Sequence, residues 1–168
     1  FAADVTFATG ADIITASAGD NNVRIGANAG NSIADGGDNN TVVGDGAGAA
    51  INTGDANTLV GYVAGDAINT GSSNTAVGFS AMSSQTTASQ NTAVGRDALF
   101  TNITGAGATA VGYSALVYAT GNYNTAVGGL AGDAITTGIY NTAVGYGTGG
   151  SVTTGTHNVG IGDDALPT

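Results

Sequence analysis

The sequence predicts an all-β parallel β-solenoid. Three observations carry the prediction: a five-residue phrase that returns at nearly constant spacing, strand-forming residues inside it, and Gly, Asn, Asp and Ser at the breaks between copies. The phrase closes on Gly in NVRIG (Gly26), NTVVG (Gly44), NTLVG (Gly61), NTAVG (Gly78, Gly95), ATAVG (Gly112), NTAVG (Gly128, Gly145) and NVGIG (Gly162). Successive intervals are 18, 17, 17, 17, 17, 16, 17 and 17 residues, so residues 21–168 form an array of about nine coils of 17 residues. Residues 1–20, FAADVTFATGADIITASAGD, fit the phrase poorly and are expected to form an N-terminal cap or a joint.

Within a coil, NTAVG is the first extended stretch, and GDAINTG (65–71), LFTNITG (99–105), GDAITTG (132–138) and GGSVTTG (149–155) mark a second. Both are too short and too rich in β-branched residues and Gly for helix, and no apolar stripe of helical spacing persists. Two strands per coil are therefore expected, with coils about 4.8 Å apart along a rod. Alternation along a strand puts Thr75 and Val77 on one face and Ala76 and Gly78 on the other. It also pairs Ile68 with Thr70, so the Thr ladders are expected to look inward. The NTAVG strand has no clearly wet face, which predicts cover on both sides, one by its own coil and one by a neighbouring subunit.

Composition narrows function. Thirty Gly, one Pro (Pro167), four Phe, one Met and no Trp allow only a thin core, so packing between subunits would add needed stability. The acids are twelve Asp with no Glu, which suits turns, where a short side chain can bond its own backbone. Two Arg, no Lys and a net charge of −10 give no electrostatic footprint for nucleic acid or an anionic membrane. No apolar run is long enough for direct membrane insertion. With no Cys, neither disulfides nor thiolate metal sites enter, a usage that suits an extracellular protein.

The tandem NTAVG and NTVVG phrases, each followed by a small-residue stretch and a TTG-type turn, resemble the YadA-like head of trimeric autotransporter adhesins. They resemble equally the NTAVG repeats of tail-fibre-like proteins. The resemblance covers roughly residues 20–166. It implies a left-handed β-roll, three chains around a common axis, and a stalk or head of a fibre at the cell surface or on a virion, with no catalytic residues to carry over. The repeat is longer than in the typical adhesin head, Arg24 stands at the small Ala position of the first phrase, and Val159 and Gly160 replace Thr and Ala in the last. The stop inside a coil, at Leu166, Pro167 and Thr168, reads as one part of a longer fibre.

Candidate sites follow from position in the coil. Asn74, Asn91, Asn124 and Asn141 read as corner residues, because Asn tolerates left-handed backbone and caps turns; Gly78, Gly95, Gly128 and Gly145 read as corners too. Thr ladders invite ice binding, and the expected inward direction argues against it. Asp66 and Asp133 recur four coils apart, Asp35, Asp38 and Asp45 or Asp163 with Asp164 lie at turns, and solvated corners outweigh a cation site. His157 is the only His and has no Cys or Glu to work with, so no catalytic centre, metal site or cofactor is expected.

The surface recognition candidates are aromatic. Tyr123, Tyr140 and His157 share one coil position; Tyr62, Phe79, Tyr113 and Tyr146 share another, interrupted by Arg96 and Gly129. Aromatics of this kind meet sugars or partner side chains, or cover gaps between subunits. The reading is a non-enzymatic structural or adhesive segment, a homotrimer that also has the option of stacking end to end, with a host or neighbouring surface, glycan included, as partner. Its alternatives are a monomeric β-solenoid that binds ice or carbohydrate and a subunit of a self-stacking extracellular filament.

Overall fold

The structure, a computed structural model, describes residues 13–14 and 18–166. Its strands are β1 (Ile13–Ile14), β2 (Val23–Ile25), β3 (Thr41–Val43), β4 (Thr58–Val60), β5 (Thr75–Val77), β6 (Thr92–Val94), β7 (Thr109–Val111), β8 (Thr125–Val127), β9 (Thr142–Val144) and β10 (Val159–Ile161). They form one sheet in chain order. From β2 to β10 every pairing is parallel and in register, Thr58 on Thr75, Leu59 on Ala76 and Val60 on Val77. The chain is thus a parallel β-solenoid, whose coils 1 to 9 open at Asn22, Asn40, Asn57, Asn74, Asn91, Ala108, Asn124, Asn141 and Asn158. β1 runs antiparallel along β2; the rest of the expected cap, residues 1–12 and 15–17, lies outside the described residues.

Each coil holds one strand, not the two expected. After the strand of coil 3, residues 62–67 pass through consecutive turns and Asn69 and Thr70 bend. Left-handed residues at Val63 (φ 45°) and Gly65 (φ 57°) break the extended path. Turn N–H groups are satisfied inside the coil, as Ile68 N to Gly65 O (3.0 Å), and on the next coil, as Asn69 N to Thr86 O (2.9 Å). Ile68 is buried while Thr70 is exposed, so the two do not share a face.

The inward side of the strand is also the reverse of the expected one. Val42, Leu59, Ala76, Ala93, Ala110, Ala126 and Ala143 are buried, and the flanking Thr and Val residues face out. A small middle residue suits a flattened coil because the opposite wall is close. The Gly after each strand makes the corner: Gly78 has φ 140°, and a Cβ there would lie 2.5 Å from Gly95 O in the next coil.

The opposite wall supplies one large apolar side chain per coil from one of two places, joined in coils 4 and 5 by a buried amide side chain. Where the eighth residue after the opening position is Gly30, Gly48, Gly65, Gly132 or Gly149, the eleventh is Ile33, Ile51, Ile68, Ile135 or Val152. Coils 4 to 6 instead place Met82, Leu99 and Leu116 at the eighth and Gln85, Asn102 and Ala119 at the eleventh. All six of those are buried. The exchange follows the local space: a Cβ on Gly65 would meet Ile68 Cδ1 and Leu59 Cδ2 at 2.8 Å each, so a large residue at the eighth place requires something other than Ile at the eleventh.

The opening Asn residues are not left-handed corners. Those are the residues before them: Ser73, Gln90, Tyr123 and Tyr140 have φ of 59°, 64°, 59° and 57°. The Asn side chains turn inward and form a buried amide ladder. Asn57 Oδ1 accepts from Asn74 N (3.0 Å) and Asn74 Nδ2 (3.1 Å), while Asn57 Nδ2 donates to Asn40 Oδ1 (3.0 Å) and to Gly71 O (2.9 Å). Each amide therefore ties its coil to a neighbour and also clamps the far end of its own coil. Gln85 joins the ladder through Asn74 Oδ1 (2.9 Å), and Asn102 closes its own turn on Gly105. Ala108 interrupts it: Ala108 N still donates to Asn91 Oδ1 (2.8 Å), but no amide passes the chain of bonds on to Asn124.

The core exchange is open to a direct test by urea unfolding. Leu116→Gly is expected to cost about 2–5 kcal/mol by opening a cavity, and Ala119→Ile about 1–3 kcal/mol by overpacking. The double variant reproduces the pairing of coil 7 and is expected to recover most of the combined loss.

Candidate functional site

Three surfaces of the rod bear on function, and each is set by position in the coil. The first is the outer face of the sheet. Thr41, Thr58, Thr75, Thr92, Thr109, Thr125 and Thr142 form one column along it. Val43, Val60, Val77, Val94, Val111, Val127 and Val144 form the other. In-register pairing makes both columns continuous. From β3 to β9 this face carries no charge; Val94 and Val127 keep 36% and 39% of their surface exposed. The inward Thr ladder expected from alternation is therefore an outward one, and the objection to ice binding drawn from it falls. The second Thr position faces out too, since Thr70 and Thr87 are exposed.

The second surface comprises the aromatic columns. Tyr123 stacks on Tyr140 at 5.0 Å with planes 13° apart, and Tyr140 on His157 at 5.0 Å and 20°. Tyr62 stacks on Phe79 at 5.3 Å and 22°. Arg96, expected as an interruption, continues this column: its guanidinium carbon lies 5.6 Å from the Phe79 ring centre and 5.8 Å from that of Tyr113. Its Nε also bonds Asp97 Oδ2 at 3.0 Å, an exposed pair that adds little by itself. Gly129 does interrupt, and Tyr146 packs over it, with Cδ2 3.4 Å from where a Cβ would stand. All seven recognition candidates, Tyr62, Phe79, Tyr113, Tyr123, Tyr140, Tyr146 and His157, are exposed. Because neighbours occupy one another's ring faces, a partner meets mainly ring edges, and open faces remain at column ends.

Polar side chains at the corners work for the backbone. Asp38 Oδ1 accepts from Asp20 N (2.7 Å), Asp55 Oδ1 from Asp38 N (2.8 Å), Ser72 Oγ from Asp55 N (2.9 Å) and Ser89 Oγ from Ser72 N (3.0 Å). Asp66 Oδ1 accepts from Ser83 Oγ at 2.5 Å. Partial burial holds the Asp133 carboxyl above the ordinary carboxylate range, partly offset by the N–H groups of Ala134 and Asp133 itself. Burial likewise lowers Arg24, whose Nε donates to Ala29 O at 2.7 Å inside the first coil. Among the described residues no three of His, Cys, Asp and Glu gather where they could hold a metal ion.

The third surface escaped the sequence reading. Asp97, Phe100, Thr101, Ser114, Val117 and Tyr118 line a concavity of about 320 Å³ on coils 5 and 6. The signal for it was present in the 16-residue interval between Gly112 and Gly128 and in Ala108 for Asn, which both mark coil 6 as irregular.

Fold and surface together define a parallel β-solenoid with an uncharged sheet face and stacked outward aromatics. Compared with known proteins, the chain matches no family model, no curated protein and no solved structure.

The aromatic column is tested by filling its gap. Gly129→Tyr is expected to raise the unfolding free energy by about 0.5–1.5 kcal/mol by joining Tyr113 to Tyr146. Arg96→Ala is expected to lower it by about 0.5–1 kcal/mol. No change in either variant would show that the rings act as separate surface side chains.

Proposed function

We propose that the chain is a segment of an extracellular fibre, at a cell surface or on a virion, in which three copies pack sheet face to sheet face into a rod for multivalent attachment. The observation that carries this reading is the outer face of β3–β9: long, uncharged and lined by continuous Thr and Val columns. A coil whose interior is mostly Ala gains much by covering such a face. Three identical chains around an axis cover all three faces at once, and a closed arrangement leaves no free patch to propagate aggregation. The NTAVG phrasing shared with adhesin heads and tail-fibre-like proteins supports the same assembly. Attachment then comes from repeated weak contacts along three parallel chains, whose joint avidity exceeds that of any one contact. No part of this role requires a catalytic centre or a cofactor.

A second reading rests on the outward direction of the Thr column. Hydroxyls repeating about every 4.8 Å, beside Val methyls on a flat sheet, could order water and adsorb to ice. It requires the same face to be bare, so the two readings exclude each other on one surface.

Light scattering separates them. A solution mass near three times the chain mass of 16.0 kDa is expected. Val94→Asp with Val127→Asp is expected to drive the trimer toward monomer, because six carboxylates would then meet at the axis. A wild-type monomer that arrests ice growth would establish the second reading instead, and growth into long filaments in electron micrographs would establish end-to-end stacking.

A further inference from the structure

We propose that the concavity on coils 5 and 6 binds one neutral sugar ring. It exists because the core exchange and the coil irregularity coincide there. With Leu99 and Leu116 filling the core, the next two positions carry Phe100 with Thr101 and Val117 with Tyr118. Coils 2, 3 and 7 carry Ala49 with Ala50, Asp66 with Ala67, and Asp133 with Ala134 at the same places. Coil 4 shares the exchange through Met82 but carries Ser83 with Ser84, so among the described residues large side chains rise from this wall side by side at coils 5 and 6.

Their chemistry is that of a sugar site. Phe100 and Val117 are half-buried, and Tyr118, 58% exposed, stands beside them. Together they offer an apolar surface to the C–H face of a pyranose. At the edge, Asp97 is fixed by Arg96 on Oδ2, which leaves Oδ1 to accept a sugar hydroxyl. The buried Ser114 can donate and accept. Thr101 Oγ1 spends its proton on Val117 O (2.8 Å) and faces a ligand as an acceptor. A purely apolar ligand would leave these groups unpaired. An anion would meet Asp97 on a chain of net charge −10. A volume of about 320 Å³ lies at the small end of ligand sites and suits a single ring, so the target is a terminal or exposed residue of a neutral glycan.

The wall that bears the concavity lies across the core from the sheet, as the approach of Gly48 and Gly65 to the strand residues Val42 and Leu59 shows. Packing three chains by their sheets leaves the concavity open. The inference rests on the proposed fibre role only for its multiplicity, three sites per rod; the site itself is complete in one chain.

The experiment is saturation-transfer NMR with the methyl glycosides of galactose, glucose, mannose and N-acetylglucosamine, run on the wild-type chain, Tyr118→Ala and Asp97→Asn. Asn suits position 97, where φ is 56°. At least one glycoside is expected to receive saturation on its ring protons from the wild type, with a fall of fivefold or more in both variants while their melting curves stay near the wild type. Two results would overturn the site: no transfer to any glycoside, or equal transfer from wild type and Tyr118→Ala. If Tyr118→Ala melts early, the glycoside that binds is tested on Tyr118→Phe and Tyr118→Ser: Phe keeps the ring face and is expected to keep binding, Ser removes it and is expected to lose binding, and equal transfer from the two would overturn the site. Light scattering on the same samples keeps the two proposals apart. A monomer that binds sugar removes the trimer and retains the site, and a trimer that ignores all four removes the site alone.

Discussion

The buried amide ladder is the interaction on which the rest of the structure depends. A coil of 17 residues with Ala at most inward positions buries little apolar surface, so apolar contact alone leaves coil closure and coil register poorly determined. The Asn at the opening of each coil addresses both. Its Nδ2 holds the backbone carbonyl fourteen residues ahead, as in Asn57 to Gly71 and Asn74 to Ala88, which closes the coil. Its Oδ1 takes the backbone N–H of the next Asn, which sets the stacking. A slip of one residue would leave several buried amides unpaired at once, and that penalty enforces an in-register sheet. Register in turn places like over like, so Thr, Val and aromatic columns are consequences of the ladder. Where Ala108 removes one amide, the coil it opens is a residue short and the surface changes character.

Periodicity was legible because the Gly after each strand from β2 to β9 cannot be replaced without colliding with the next coil, so the spacing is written in a residue that no substitution hides. The inward side of the strand was not legible. Hydrophobicity usually marks the buried face, but here the fully buried residue is Ala76 and the half-buried, outward one Val77, because the opposite wall is too close for anything larger where Met82 fills the gap. The second strand was overread for a related reason. AINTG is β-branched, yet Val63 and Gly65 upstream are left-handed, and propensity gives way to a turn that the next coil satisfies with hydrogen bonds. Tolerance of positive φ suggests Asn for the corner, but its amide is needed inside, and the residue before it takes the left-handed backbone. The aromatic columns followed directly from spacing, and Arg96 belongs to its column for the same geometric reason as its neighbours.

These features place different tasks on different walls of one thin rod. The sheet wall is repetitive, the same Thr and Val columns running from β3 to β9. The turn wall varies from coil to coil, since only its inward positions are constrained by the core. The two positions after the core side chain vary freely, Ser83 with Ser84 after Met82 but Phe100 with Thr101 after Leu99. Variation is thereby separated from folding: the repeat maintains the coil stack, and departures from it on the turn wall change only what that wall presents to solvent.

The amide ladder is tested most directly by Asn57→Leu, an exchange of nearly equal shape that removes only the polar atoms. Asn74 N–H and Gly71 O then lie buried without partners, and urea unfolding is expected to show a loss of about 2–4 kcal/mol. A variant as stable as the wild type, or more stable, would show that apolar burial holds the coils together and would contradict the central place given to the ladder.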